Sequence, residues 1–498
     1  MKLVKSLILG SAAALVAVGG AQAADLPVKA KAVEYVKVCS LYGPGFYYIP
    51  GTDTCIKLGG YLRADVLANT NTVSGPNYNG ANGANNRFTN GYTWRSREDL
   101  NIDTRTATEY GVVRTYFDAV FTWTSGTYAG VGNGSTTYSG DAVAGGSLGV
   151  YYAFIQFAGF TIGKAVSQFA APWTGYPGNN FDGLVGGVNT TTGVNQFTYT
   201  AQFGNGVSLS LSAQDQTLYS QAGVNNLGAG GAYGASDYAG TIAPDLIASL
   251  KVDQAWGLFQ ASFAAHDSHA AYYGGTELTG HPDDKWGWAG ALALSIKNIP
   301  TGPGDVINVQ GVYTDGATRY NIQDLASQAG AIAMFGGSNL PGVYGSVGFG
   351  TAPDTVFIAG GQQQTIKTWG MRGAYTHNWN PYWNTAIYGA YAAVMYNDTA
   401  KSYICGVGGV GGTFRTAFGT GVTTCNPDYN LAQIGVITRW TPVKNLTFSA
   451  DVTYSHLDQK YAGTIAFPGS AAIGKPAATY ELKDQDTVML LLRAQRNW

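Results

Sequence analysis

Charge is scarce in this chain, and long apolar runs are scarcer. Asp, Glu, Lys and Arg make up 12% of its 498 residues, about half the ~25% usual in soluble domains. Past residue 23 no apolar segment reaches the ~20 residues that a spanning helix needs. That argues against a bundle of membrane helices. It leaves a soluble exported protein or one that crosses lipid as strands, the other way to satisfy every backbone group there. So low a charge favours strands. The four cysteines show no CxxC spacing, which argues against a zinc centre. No cofactor, metal or nucleic-acid partner is expected.

What is abundant fits strands at a membrane. Seventy glycines are about twice the usual ~7%, and 33 tyrosines with 11 tryptophans suit interfacial girdles. Residues 1–23 read as a signal peptide: Lys2 and Lys5, an apolar core from Leu7 to Val18, and Ala21-Gln22-Ala23 as the cleavage site. Removing them takes the formal charge from −2 to −4, because two lysines leave. Beyond, sixteen strand-like stretches are separated by gaps that alternate between short and long. Short gaps are expected at 107–109, 158–159, 204–206, 255–257, 298–304, 379–382 and 442–444. Long ones are expected at 69–93, 124–147, 169–194, 216–246, 267–284, 315–366, 396–429 and 458–484. A closed outer-membrane barrel sorts its connections this way, with tight periplasmic turns and large outer loops. The expected fold is therefore all-β: a sixteen-stranded antiparallel transmembrane barrel over residues 55–498, preceded by a periplasmic segment at 24–54.

Lipid on one side and water on the other forces a period of two. On the first strand Ile56, Leu58, Leu62, Ala64 and Val66 alternate with Lys57, Tyr61, Arg63 and Asp65. On the second, Trp94, Leu100 and Ile102 alternate with Arg95, Arg97, Asp99, Asp103 and Arg105, while Glu98 falls on the apolar side. On the third, Val113, Phe117, Ala119 and Phe121 alternate with Arg114, Tyr116 and Asp118. These charged residues, with Lys164 and Asp182, are expected to line a pore, where they would set selectivity. Aromatics on the lumen side look sparse, which ranks a solute-specific channel below a general one. The last strand alternates Val488, Leu490, Leu492 and Ala494 and ends on Trp498. An aromatic terminus on such a strand resembles the signal read by the outer-membrane barrel-assembly machinery.

The mature start, Ala24-Asp25-Leu26-Pro27-Val28 through Cys39 and Cys55 to Lys57-Leu58-Gly59-Gly60-Tyr61-Leu62-Arg63, resembles the general porins of alphaproteobacteria. So do Ile155-Gln156-Phe157-Ala158-Gly159-Phe160-Thr161-Ile162-Gly163-Lys164 and the Arg-Asn-aromatic end. The resemblance implies a homotrimeric outer-membrane pore for small hydrophilic solutes, set among lipid and lipopolysaccharide and narrowed by its third long loop, 169–194. Asp182 is that loop's only charge, a departure from porins whose inward loop is acidic. An Ala-Asp start in similar proteins can be joined to peptidoglycan, so Ala24 and Asp25 are candidate attachment residues, and a barrel acting mainly as a wall anchor is a further reading.

In an exported chain the nearest-neighbour pairing, Cys39 with Cys55 and Cys405 with Cys425, closes two compact loops. Two enzyme-like motifs lack their context. Gly145-Gly146-Ser147-Leu148-Gly149 matches G-x-S-x-G but enters a strand rather than a helix. Gly406-Val407-Gly408-Gly409-Val410-Gly411 follows no βα unit. His266, Asp267, His269 and His281 gather near one loop, where polarity explains them better than a metal does. No enzymatic activity is expected.

Overall fold

A computed structural model describes residues 37–73, 83–87, 89–125, 146–171, 173, 177–188, 192–216, 220–229, 232–323, 332–407 and 410–498. Sixteen strands of its main sheet form the barrel wall. They are β1 (Thr54–Val73), β2 (Asn90–Thr108), β3 (Gly111–Thr124), β4 (Ser147–Phe157), β5 (Phe160–Ala165), β6 (Val194–Gly204), β7 (Val207–Gln214) and β8 (Asp245–Gln254), followed by β9 (Gly257–Ser268), β10 (Lys285–Lys297), β11 (Val306–Asp315), β12 (Lys367–Asn380), β13 (Trp383–Met395), β14 (Tyr429–Val443), β15 (Leu446–Gln459) and β16 (Gln485–Asn497). Each pairs with its sequence neighbours, and β16 returns antiparallel to β1 with Leu62 opposite Arg496 and Asn69 opposite Met489. The sheet has no free edge.

The connection rhythm expected from the sequence holds. One rim carries the turns 109–110, 158–159, 205–206, 255–256, 298–305, 381–382 and 444–445, and the other the long loops. The first turn lies slightly later than expected because β2 and β3 stay paired to Thr108 and Gly111. Asn205 and Gly206 both have positive φ, 49° and 74°, which matches a two-residue turn to the sheet's twist. A Cβ on Gly206 would lie 1.8 Å from the Asp253 carbonyl, so only glycine fits there.

Apolar side chains cover the outer face: Leu62 is 57% exposed, whereas Asp65 on the opposite face of β1 is fully buried. Trp383 stacks on Trp440, which packs on Phe448, beside the turns. Trp288 with Tyr313, and Trp369 with Tyr391, mark the loop side. Trp369 and Trp379 lie on one strand ten residues apart. At ~3.3 Å per residue that is about 33 Å along the strand, or about 25 Å of apolar height at a tilt of about 40°.

The long loops are not loose. Ile332–Gly336, Gly345–Gly350, Ala478–Leu482, Ala462–Phe467 and Val422–Thr424 form a five-stranded sheet from three loops. Val224–Asn226, Ala235–Ser236, Thr355–Phe357 and Gln364–Thr365 form a second. Helices α1 (Asp398–Cys405) and α2 (Thr413–Phe418) are tied back by the Cys405–Cys425 disulfide. Phe414 stacks on Tyr461 at 4.2 Å, and both share an apolar core with Met334, Val347, Tyr480 and the wall residues Leu431 and Leu457. Buried His266 lies between Asp245 (2.8 Å) and Asp354 (3.5 Å), which joins the loops 215–244 and 316–366 to β9. His269 Nδ1 meets Asp284 at 2.6 Å, and His281 Nδ1 the Pro282 carbonyl at 2.9 Å.

The described residues before Lys57 form a separate unit. There Cys39 and Cys55 are disulfide-bonded, Tyr48 pairs with Cys55, and Phe46 packs edge-on to Tyr42. Both disulfides follow the nearest-neighbour pairing. The signal-peptide segment, Ala24 and Asp25 lie outside the described residues.

The longest turn, 298–305, is held by one carboxylate. Asp305 accepts hydrogen bonds from Thr301 Oγ1 (2.7 Å), His377 Nδ1 (2.7 Å), Asn378 N (2.8 Å) and Tyr375 OH (3.1 Å). Burial disfavours its charge, but these bonds outweigh that and hold the carboxyl well below the usual range. A depressed pKa stabilises above the unfolded value near ~4 and fades as pH falls toward the folded one. Asp305→Asn should therefore lower the thermal midpoint at pH 7. The gap to the unmodified protein should shrink between pH ~4 and pH ~2. A gap that is constant with pH would show that the carboxylate's charge is not what holds the turn.

Candidate permeation pathway

The feature that shapes the lumen is the chain between β5 and β6. β5 is only six residues long because the chain leaves the wall at Val166 and crosses the interior. On its way it meets one strand after another. Gln260 of β9 donates to the Ala170 carbonyl (2.9 Å), and Asn308 of β11 to that of Pro177 (3.0 Å). Arg372 of β12 donates to the Leu184 and Val188 carbonyls, and Arg439 of β14 to that of Gly178. Asn180 N donates to Asp451 of β15 (2.7 Å), and Arg493 of β16 donates to the Asn180 carbonyl (3.1 Å). Gly186, at φ 91°, lies so close to the Met371 backbone that a Cβ would sit 2.7 Å from it. The third loop folds inward, as expected, and wall side chains satisfy its backbone, which no water-poor interior would otherwise tolerate.

The loop covers one side of the barrel. Inward residues of β12–β14, such as Arg372, Ala386, Tyr388, Leu431 and Gln433, are buried. On β1–β4, by contrast, Arg63, Arg97, Arg105, Arg114, Tyr116, Tyr152 and Phe154 stay partly exposed. Of the charges expected in the pore on this wall, Arg63, Arg97, Arg105 and Arg114 are partly exposed, while Asp65, Arg95, Asp99, Asp103 and Asp118 are buried.

Those charges are grouped by partner. Asp65 is a hub: Arg95 Nη2 reaches it at 2.7 Å and Arg493 Nε at 2.7 Å. Arg95 Nη1 also meets Asp182 of the inward loop at 3.0 Å, so the loop's one charge does face the basic wall. Asp103 accepts from Arg105 and Arg114, both at 3.0 Å. Asp99 accepts from Asn101 (3.1 Å) and neighbours Asp118. Lys164 Nζ donates to the Val150 carbonyl (2.6 Å), and Lys57 is exposed. Sequence reasoning missed Arg493, Arg372 and Arg439, which alternate inward on later strands and anchor the loop.

The sparse lumen aromatics expected from the sequence need correcting. Tyr116 stacks on Phe154 at 5.4 Å and lies beside Tyr152, with Arg114 over both Tyr116 and Phe154. Arg63 sits over Tyr61 at 4.3 Å, and Arg97 over Tyr151 at 5.9 Å. The reason is a bulge: Asp118 pairs with Tyr152 and Ala119 with Val150, so Tyr151 is the extra residue. Strict alternation places Tyr151 and Tyr152 on opposite faces, but the bulge brings both toward the arginines.

Known proteins agree with this architecture. A family profile described as the Porin subfamily matches residues 25–491. The chain belongs to the porin subfamily. Porin Omp2b of Brucella suis is 35% identical over 269 residues, which is 53% of this chain and 66% of that protein's length. Porin Omp2b of Brucella melitensis matches to the same extent. The solved outer membrane channel DcaP of Acinetobacter baumannii has 16% identity and a TM-score of 0.57, over 91% of this chain and 99% of that one. At that identity it supports the fold alone. This porin is an outer-membrane barrel, and the family consists of channels, not enzymes. Ser147 of the G-x-S-x-G match opens β4 and donates to the Thr122 carbonyl across the sheet.

The hub gives two opposed predictions. Asp65→Asn leaves two buried guanidiniums without their shared anion and should cost about 3–5 kcal/mol, read as a lower unfolding temperature of the barrel. Asp182 is 43% exposed, so Asp182→Asn should cost less than about 1 kcal/mol. It should instead move the zero-current potential in a salt gradient toward anions. An unmoved potential would show that Asp182 lies off the ion path.

Proposed function

We propose that this porin forms a passive diffusion pore for small hydrophilic solutes and ions, with selectivity set by the charged wall β1–β5 opposite the inward loop. The carrying observation is that contrast in exposure: the loop covers the inner face of β12–β14, while Arg63, Arg97, Arg105 and Arg114 on the inner face of β1–β3 stay partly exposed. A polar lining of that kind has no use in a solid core, and charge on a wet wall filters ions. Purified protein in liposomes should admit small sugars and exclude large oligosaccharides. Liposomes that do not swell in any sugar would end this reading.

A homotrimer is part of the proposal. Leu62, Ala64, Ser96, Glu98, Phe121 and Arg496 line an outward groove of about 880 Å³ across β16, β1, β2 and β3. Glu98, out of place against lipid, fits a protein contact. Light scattering in mild detergent should give the trimer mass, and a monomer mass would remove this part. Insertion by the barrel-assembly machinery through the strand ending at Trp498, and a setting among lipopolysaccharide, complete the reading. A covalent tie of Ala24-Asp25 to peptidoglycan rests on the sequence. Muropeptide mass spectrometry should find Ala24 linked to the wall, and envelopes yielding only unmodified Ala24 would exclude it.

A further inference from the structure

The Asp65–Arg95 ion pair fixes how β1 and β2 face each other on the lumen side. Moving two residues along each strand, away from that pair, brings Arg63 opposite Arg97. Two like charges directly across an antiparallel pair are destabilising; Asp65 and Asp99 lie near enough to offset part of this, but neither reaches ion-pair distance of Arg63 or Arg97. Neither guanidinium forms an ion pair with a described carboxylate. Each is tethered only through Nε to a neutral acceptor: Arg63 to Gln495 Oε1 at 2.8 Å, and Arg97 to Thr122 Oγ1 at 3.1 Å. Their Nη groups donate to no described side chain or backbone group. Of the neighbouring carboxylates, Asp65 pairs with Arg95 and Arg493, and Asp99 accepts from Asn101 while its charge acts on Arg63 and Arg97 from beyond ion-pair distance.

The tethers also preorganise the pair. Tyr61 and Tyr151 lie under the two guanidinium planes at 4.3 and 5.9 Å, which holds long side chains in one orientation. A planar fork with its Nη edge free matches an oxyanion with two acceptor oxygens better than it matches a spherical ion.

We propose that Arg63 and Arg97 form an anion station on the pore wall that takes the carboxylate or phosphate group of a permeating solute. The station rests on the pore reading and deepens it by naming a solute class. An arriving oxyanion removes the repulsion between the two arginines. It remains in contact with water, so it can leave toward either rim.

Single-channel recording in planar bilayers tests this, with acetate, inorganic phosphate or extra chloride added to KCl at constant ionic strength. The open conductance in KCl alone reports the pore itself, so a dead channel is told apart from an absent station. Acetate or phosphate should reduce the current with a saturating dose dependence that chloride does not produce. Block by acetate alone assigns the station to carboxylates, and block by phosphate alone to phosphates. Arg63→Gln and Arg97→Gln should each raise the half-blocking concentration about tenfold, as expected for losing one charge-assisted contact. Lys297→Gln, at the turn rim beside Asp253, should leave it unchanged. Arg63→Lys should keep the ion preference in a salt gradient but lose most of the distinction between oxyanion and chloride. The thermal midpoint of Arg97→Gln should not fall, since the change relieves a like-charge pair, whereas a purely structural arginine would destabilise on removal. Equal effects of chloride and oxyanions on the unmodified protein, or block unchanged in both Gln variants, would overturn the station.

Discussion

Lipid offers no hydrogen bonds, so each backbone group of β1 that lies in it must find its partner in β16 or β2. Closure of the sheet is the constraint on which everything else here depends. It forces alternate side chains outward into lipid and inward into a shared space, and it makes that space wide. A sixteen-stranded ring cannot be filled by its own side chains alone. Something must enter it, or it stays open. In this porin both happen, on opposite sides.

The inward loop divides the lumen. It carries one charge, Asp182, so it is held less by ion pairing than by arginine and glutamine donors on its carbonyls: Arg372, Arg439, Arg493 and Gln260 each supply one or more. Those donors cannot also serve a solute. Arg63 and Arg97, which form no ion pair, lie on the other wall, so in the proposed passage anchoring and lining are separated. The capped outer loops extend the same asymmetry, since their apolar core continues onto Leu431 and Leu457 of the wall.

Much of this was legible in the sequence because it depends on local pattern. Alternation along Leu58 to Asp65, and turns such as Asn205-Gly206, need only neighbours in the chain. Both disulfides follow from proximity in sequence. The cap was not legible: Gly345–Gly350 pairs with Ala478–Leu482, over a hundred residues away, and no local signal marks that partner. The role of Arg493 was hidden for the same reason, since its carboxylate, Asp65, lies at the other end of the chain. The lumen side of Tyr151 was not legible for a different reason. A single extra residue at the bulge opposite Asp118 resets the period of two, and counting along β4 cannot detect it.

The central claim is that the segment between β5 and β6 lies across the lumen against the far wall. Asn180 Nδ2 donates to Ser449 Oγ of β15 at 2.9 Å, so the double variant Asn180→Cys, Ser449→Cys brings two thiols together only if the loop is inside. In native outer membranes the account predicts a disulfide joining the 180 and 449 peptides, with single-channel conductance unchanged because the loop already rests there. Two free thiols that react with maleimide, and no linked peptide, would contradict it.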